Sequence, residues 1–364
     1  MKKLLCAALS VLILICSVTL TVSAVTTSAE SAVVISGDGV TVYEKNANVK
    51  RGMASTTKIM TAIVAIENCP PDRVVKIADS AIGVEGSSIY LKKGESLTME
   101  QLLYALLLQS ANDAAAAIAF EVGGSIEGFA SMMNEKAKKL GLCNTHFTNP
   151  HGLYDDDHYT TAYDLAAITR YALENELFRT IVGTVKTTIP LNDGNGKRAL
   201  VNHNKLLIRY DGAIGVKTGF TKKTGRCLVS AAERDGTRLI AVTLNAPDDW
   251  NDHTAMLNDG FEKIQTFHLI SPNGISFKLP VTGGMSPYVS VSNKGGLSFT
   301  CKKNGANITY EVRTDRFLFA PVKAGDRVGQ IVFYNNNEEI GRVDLFAESD
   351  VARKATNKKL FGLF

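Results

Sequence analysis

The sequence predicts an α+β chain that ends in a small all-β domain, and three observations carry that reading. Between Ser55 and Leu173 apolar residues recur at helical spacing, interrupted by capping residues and glycines. From Ile214 to Leu244 the pattern turns to β-branched runs joined by turn residues, and from about Phe267 onward short alternating runs are separated by glycine pairs. Beyond a leader, about 340 residues at 45% apolar content exceed one ordinary core, so two domains are expected.

Residues 1–24 open on Lys2 and Lys3, run apolar from Leu4 to Val22, and reach the small-residue step Val22-Ser23-Ala24. This pattern predicts a cleaved secretory signal peptide and hence an extracytoplasmic protein of the cell envelope; the length of the apolar run leaves an uncleaved anchor as the alternative. Neither Cys6 nor Cys16 follows a small residue, which disfavours a lipoprotein. Losing Lys2 and Lys3 leaves 38 of the 40 basic residues against 36 acids, a formal +2, which carries no nucleic-acid footprint. Cys69, Cys143, Cys227 and Cys301 are scattered without metal-ligand spacing. They are assigned neither catalysis nor pairing, and the sequence implies no metal and no cofactor.

Ala32–Ser36 and Val40–Tyr43 flank Gly37-Asp38-Gly39, which predicts a hairpin. In Ser55-Thr56-Thr57-Lys58 a hydroxyl precedes an amine by three positions, and the apolar Ile59, Met60, Ala62, Ile63 and Val64 follow. On a helix those positions share a face, so the amine reaches the hydroxyl. Burial disfavours an ammonium, so such a lysine can take a proton and activate the serine. Taken alone, the pair reads more simply as a serine cap with a snorkelling lysine.

Thr98-Met99-Glu100-Gln101 is a capping box for a helix over Leu102 to Leu108. That helix breaks at Gln109-Ser110-Ala111-Asn112-Asp113 before helical character resumes over Ala114 to Ala119. Ser110 and Asn112 are either an N-cap cluster or two hydrogen-bonding side chains presented to a cleft, and the two readings are compatible. Ser125 caps a helix over Phe129 to Leu140, Asn149-Pro150-His151-Gly152-Leu153 is a turn, and Thr161 to Asp164 starts a helix over Leu165 to Leu173. A lone histidine in a Pro-Gly turn is more often structural, so His151 is not assigned to catalysis.

Ile214–Phe220, Cys227–Ala232 and Arg238–Leu244 read as strands, the last two joined by Asp235-Gly236. Lys217-Thr218-Gly219 on the first of them sets a cation, a hydroxyl and bare backbone along one edge, which suits a ligand carboxylate. Leu257 to Thr266 is predicted as the last helix. The region that follows holds β-rich runs at Tyr288–Val291, Ile308–Val312 and Gln330–Tyr334, with turns at Asn304-Gly305 and Glu339-Ile340-Gly341. It carries no recognisable chemistry. The tail from Val351 to Phe364 holds Arg353, Lys354, Lys358 and Lys359 without an acid and ends Leu360-Phe361-Gly362-Leu363-Phe364. It suits peripheral contact with an anionic membrane surface or a frayed terminus about equally.

Ser55-x-x-Lys58, Ser110-x-Asn112 and Lys217-Thr218-Gly219, in that order, resemble the motifs of the low-molecular-mass penicillin-binding proteins, the serine D-alanyl-D-alanine carboxypeptidases. The likeness extends to Ser55–Thr61, Gln109–Ala114, Asn149–Leu153, Thr160–Leu165 and Gly215–Thr221. It covers residues 31–266, with residues 267–350 resembling the family's C-terminal domain more loosely and 351–364 left as the tail. The resemblance implies a β-lactamase/DD-peptidase-like fold, in which a helical subdomain packs on an antiparallel sheet flanked by helices, with the cleft between them. It implies Ser55 as nucleophile, Lys58 as base, and Ser110 and Asn112 as proton relay and substrate-amide contacts. Lys217, Thr218, Gly219 and Phe220 would bind substrate, with the backbone N–H groups of Ser55 and Phe220 as the oxyanion hole. The implied substrate is a peptidoglycan stem peptide ending in D-Ala-D-Ala, and β-lactam antibiotics are the implied covalent inhibitors.

Many members of that family carry an arginine just before the last helix, near the substrate carboxylate. Here the matching stretch reads Pro247-Asp248-Asp249-Trp250-Asn251-Asp252-His253, so carboxylate recognition is expected to rest on Lys217 and Thr218. Two other readings stand beside the carboxypeptidase. One is a β-lactamase of the same fold; class A enzymes use a glutamate downstream of their Ser-x-Asn motif, and Cys143 to Pro150 in the corresponding place holds no acid. The other is an idle wall-binding protein, which the intact motif residues disfavour.

Overall fold

Along the first strand Val33 and Ile35 point into one apolar cluster, while Ala32 and Val34 point into another. A strand that is apolar on both sides belongs to a sheet covered on both faces. The computed structural model describes residues 25–191 and 196–355. The predicted signal peptide and the greater part of the basic tail therefore lie outside the described residues.

The chain runs β1 (Ser31–Ser36), β2 (Thr41–Lys45), a 3-10 turn over Ala54–Thr57, α1 (Lys58–Asn68), β3 (Val74–Lys76) and β4 (Ser96–Thr98). Next come α2 (Met99–Leu108), α3 (Asn112–Gly123), α4 (Ile126–Lys139), α5 (Ala162–Leu173), α6 (Glu176–Gly183), and the hairpin of β5 (Lys186–Pro190) and β6 (Lys197–Val201). The short α7 (Leu206–Arg209) leads to β7 (Ala213–Thr221), β8 (Gly225–Arg234), β9 (Thr237–Leu244) and α8 (Asp249–Lys263). Strands β2-β1-β9-β8-β7 form one antiparallel sheet in that order. Its one face packs on the helical lobe of α1 to α6, and its other on Met256 and Leu257 of α8.

The helix starts follow the caps read from the sequence. Thr98 Oγ1 accepts from Gln101 N at 3.2 Å while Gln101 Oε1 accepts from Thr98 N at 2.9 Å, a reciprocal pair that satisfies two orphan donors. Ser125 and Thr161 accept from Gly128 N at 2.9 Å and Asp164 N at 3.0 Å in the same way. The β8–β9 hairpin turns on Asp235 and Gly236, both at positive φ.

Two expectations shift. The last helix starts at Asp249, not Leu257, because Asp249 and Asp252 stabilise its first turn against the helix dipole. It also stops at Lys263: Ile264 and Thr266 open β10 (Ile264–Ile270), which pairs with residues 297–302. The second shift concerns Glu339-Ile340-Gly341, which lies inside a strand with a register shift beside it. The turn falls instead on Asn336 and Asn337, whose left-handed φ values asparagine tolerates.

Beyond β10 come β11 (Ser276–Thr282), β12 (Tyr288–Asn293), β13 (Leu297–Lys302), β14 (Ile308–Thr314), β15 (Leu318–Phe319), β16 (Arg327–Asn335) and β17 (Glu338–Ala347). Strands β14-β16-β17-β12-β11-β15 form a six-stranded sheet with its own core of Leu279, Val291, Ile331 and Leu345. The first hairpin touches this region through Asp38 Oδ2, which accepts from Thr300 N at 3.0 Å. Among the described residues no helix is long and apolar enough to cross a membrane, and Cys69, Cys143, Cys227 and Cys301 are all free.

Candidate active site

Ser55 sits in the 3-10 turn that runs into α1, so its hydroxyl projects over the first turn of that helix. Ala54, immediately before it, holds a left-handed φ of 47°, a conformation that persists for a non-glycine residue only where its surroundings impose it. Those surroundings include Gly152 at φ +85°, where an added Cβ would meet the Ala54 carbonyl oxygen at 2.0 Å. The Asn149-to-Leu153 turn is thereby pressed against the backbone behind the serine, and Asn149 Oδ1 holds it by accepting from Gly152 N at 2.7 Å.

Lys58 is fully buried, and its Nζ lies 3.0 Å from Ser55 Oγ, 2.7 Å from Asn112 Oδ1 and 2.6 Å from the His151 carbonyl oxygen. Burial first, then repulsion from Lys217, holds this amine well below the ordinary lysine range, with Asp113 opposing. A neutral amine has two N–H groups and one lone pair. In that form the two carbonyl-type oxygens take both hydrogens and the lone pair is left for the Ser55 hydroxyl. His151 thus enters the site through its backbone, while burial and Lys58 push its imidazole down to about 3.

Ser110 and Asn112 stand at the break between α2 and α3, with Ser110 at a left-handed φ of 59°. Neither caps α3: its N-cap is Ala111, without a side-chain cap bond. Asn112 is 4% exposed, and besides accepting from Lys58 it donates Nδ2 to the Glu85 carbonyl. It therefore acts on the base and stands behind the cleft wall. Asp113 next to it accepts from Ser88 Oγ at 2.6 Å and Leu91 N at 3.0 Å, and Asn112 N donates to the Ser87 carbonyl at 2.7 Å. These bonds fix the Ser87 loop as the cleft's edge.

Lys217 is 1% exposed and donates to Ser110 Oγ at 3.0 Å and to the Thr218 carbonyl at 2.8 Å. Burial pushes its amine down to about 7. The expected substrate cation thus lies beneath the cleft, where it orients Ser110. Thr218, Gly219 and Phe220 do line the cleft, with Phe220 63% exposed at its rim. Gly219 is needed for close approach: a Cβ there would come within 3.1 Å of Ser55 N and Thr56 N. Strand β7 therefore runs directly against the backbone N–H groups of the Ser55 turn.

The cleft, about 340 Å³, is lined by Ser55, Ser110, Thr218, Gly219 and Phe220, together with Ser87, His203, Lys205, Arg226, Asp249 and Trp250. Of the second group, Asp249 and Trp250 were read only as the stretch that lacks the expected arginine, and the others were not singled out from the sequence. Ser87 carried a weak signal in its small-residue loop; Arg226 carried none, since its place depends on the β7–β8 register that sets it opposite Phe220. A larger groove of about 750 Å³ runs along β14 and β16, but its lining, with Glu311, Arg313, Asp315 and Arg327, holds no serine and no lysine to pair as nucleophile and base. Chemistry, not size, picks out the site. Among the described residues no cluster could hold a metal ion.

A partly exposed serine facing a buried lysine whose amine is held well below its ordinary range, between a helical lobe and the edge of an antiparallel sheet, defines an acyl-transferring serine hydrolase. The family model for D-alanyl-D-alanine carboxypeptidase matches residues 18–248, and that for the penicillin-binding protein 5 C-terminal domain matches residues 265–353. The D-alanyl-D-alanine carboxypeptidase DacF of Bacillus subtilis (strain 168) is 34% identical over 342 residues, covering 91% of this chain and 86% of that relative. Penicillin-binding protein 5 from Haemophilus influenzae superposes with a TM-score of 0.70 at 25% identity, over 91% of this chain and 100% of the other. The Streptomyces K15 DD-transpeptidase superposes with a TM-score of 0.62 at 36% identity, over 65% of this chain and 98% of the other. The chain belongs to the D-alanyl-D-alanine carboxypeptidase family, the serine-type low-molecular-mass penicillin-binding proteins.

Proposed function

We propose that the protein removes the terminal D-alanine of peptidoglycan stem peptides through a Ser55 acyl-enzyme. The observation that supports this most is the buried Lys58 amine, whose Nζ is held by Asn112 Oδ1 and the His151 carbonyl at 3.0 Å from Ser55 Oγ. Lys58 Nζ takes the hydroxyl proton as Ser55 Oγ attacks the penultimate D-alanine carbonyl. The oxyanion is met by the N–H groups of Ser55 and Phe220, a donor arrangement that contributes a few kcal/mol to such transition states. The proton passes to the leaving nitrogen through the Ser110 hydroxyl, which Lys217 orients, and D-alanine departs. Water then enters and attacks the ester carbonyl, giving its proton to Lys58, which returns it to Ser55 Oγ as the shortened peptide leaves. Incubation with a diacetyl-L-Lys-D-Ala-D-Ala peptide should release D-alanine catalytically, and no release at any enzyme concentration would overturn the reading.

The β-lactamase alternative differs in the second half-reaction. The stretch from Cys143 to His151 passes behind Lys58 and offers it only a backbone carbonyl. The one acid on the cleft lining, Asp249, is paired with Arg226. A penicilloyl group keeps its leaving amine tethered beside the ester, whereas D-alanine diffuses away and admits water. Without a dedicated base for deacylation, the penicilloyl ester should outlast a β-lactamase intermediate by about 10²–10⁴-fold. With excess penicillin, a stable one-to-one mass shift on the Ser55 peptide is expected. Rapid multiple turnover without an adduct would favour the β-lactamase.

The same reading takes residues 1–24 as a signal for export, 31–266 as the catalytic unit and 267–350 as a separate β domain. It places the enzyme on the outer face of the cytoplasmic membrane, helped by the tail from Val351. Arg353, Lys354, Lys358 and Lys359 each contribute about 1 kcal/mol near an anionic leaflet, which assists attachment without anchoring alone. Because Val351 to Lys354 are bonded into the β domain, deleting residues 356–364, which carry Lys358 and Lys359, should lower co-sedimentation with phosphatidylglycerol vesicles and leave turnover of a soluble peptide unchanged. Equal sedimentation would leave these residues without a membrane role; the start of the tail is not frayed, since Val351 is buried and its N–H donates to the Val322 carbonyl at 2.8 Å.

A further inference from the structure

A carboxypeptidase must distinguish a free C-terminal carboxylate from an interior peptide bond, and the cation expected to do so, Lys217, is buried under Ser110 and Thr218. The cleft holds another. Arg226 on β8 stands opposite Phe220 of β7 and lines the cleft with Ser55 and Thr218. Its Nη2 donates to Asp249 Oδ1 at 2.8 Å, and its guanidinium lies 6.0 Å from the centre of the Trp250 ring. Asp249 is 2% exposed and belongs to the first turn of α8. That turn is pinned one turn later by His253, held between Ser230 Oγ at 2.6 Å and Thr243 Oγ1 at 2.9 Å.

Only Nη2 of Arg226 has a partner among the described residues, and Nε is buried without one. A buried donor left unpaired costs free energy unless a ligand supplies the acceptor. Asp249 falls in the stretch where an arginine was expected from the resemblance; here that stretch, at the start of α8, supplies an acid and β8 supplies the cation. We propose that Arg226, positioned by Asp249 and Trp250, binds the free terminal carboxylate of the substrate alongside Thr218 and sets the preference for acid over amide termini. Asp249 and Trp250 are positioning residues, holding the guanidinium through Nη2 so that Nη1 is left for the cleft. This rests on the carboxypeptidase reading above.

The test compares kcat/KM for diacetyl-L-Lys-D-Ala-D-Ala with that for the same peptide ending in D-alaninamide, in the full-length protein. Losing a charge-assisted hydrogen bond corresponds to roughly a 10- to 100-fold change. Arg226→Gln should lower kcat/KM for the acid by about that factor, through KM first, and leave the amide nearly unchanged. Because Arg226→Gln alone strands a buried Asp249, the double variant Arg226→Gln with Asp249→Asn removes both charges together and should show the same collapse of the acid/amide ratio. Arg226→Lys, which keeps the charge but loses the fork, should recover part of it. Lys205→Gln, which removes an exposed cation from the same cleft, should leave the ratio in place.

A wild-type ratio in the double variant would overturn the proposal, as would an equal loss of ratio in Lys205→Gln, which would point to the general field of the cleft. A wild-type protein that released neither D-alanine from the acid nor D-alaninamide from the amide would instead undo the carboxypeptidase reading.

Discussion

Replacing Ser55 with Ala is expected to abolish both D-alanine release and covalent labelling by penicillin, a loss on the order of 10⁶-fold in turnover, the scale seen when a nucleophile is removed from a catalytic unit. The fold should survive, because the hydroxyl's hydrogen-bond partner is Lys58 Nζ, which keeps its bonds to Asn112 and the His151 carbonyl. An unchanged thermal midpoint with no adduct by mass spectrometry is the expected pair of results. Labelling that persisted in Ser55→Ala would assign the nucleophile elsewhere.

Lys58→Ala should cost nearly as much, and the double variant with Ser55→Ala no more than either alone, since groups acting as one unit are not additive. Its effect on pH dependence is the sharper readout. Attack needs the neutral amine, so kcat/KM rises with pH as Lys58 loses its proton. Burial and Lys217 hold that amine low, so the rise falls well below the ordinary lysine range near 10.4. Removing the neighbouring charge by Lys217→Met lifts the repulsion on Lys58, and the residual activity should then rise at a higher pH than in the wild type. A rise at unchanged pH in Lys217→Met would mean that Lys217 does not tune the base.

Much of the fold was legible because its signals are local. The Thr98-to-Gln101 box, the Ser125 and Thr161 caps and the Asp235-Gly236 turn satisfy backbone groups within three or four residues of themselves, so nothing distant can alter them. The last helix was misplaced for the opposite reason. Ile264 and Thr266 suit either helix or strand, and only the pairing with residues 297–302 selected the strand.

The site divides along the same line. Ser55 and Lys58 were legible as a pair because three positions on one helical turn bring a hydroxyl to an amine whatever the rest of the chain does. Ser110, Asn112 and the Lys217-to-Phe220 run were legible as residues but not in their parts. Burial decided that Lys217 and Asn112 work on neighbouring groups from behind the cleft wall, while Thr218, Gly219 and Phe220 line it. Two contributors were beyond the sequence altogether. The His151 acceptor is a backbone carbonyl, and any residue type carries one. Arg226 is an ordinary strand residue until the β7–β8 register and the docking of α8 bring Asp249 to it. The sequence by itself determined which functional groups the chain owns and which of them meet within one helical turn. Only the tertiary structure decided which are buried, which face the cleft and which are paired, because desolvation and cross-strand register depend on residues far apart in the chain.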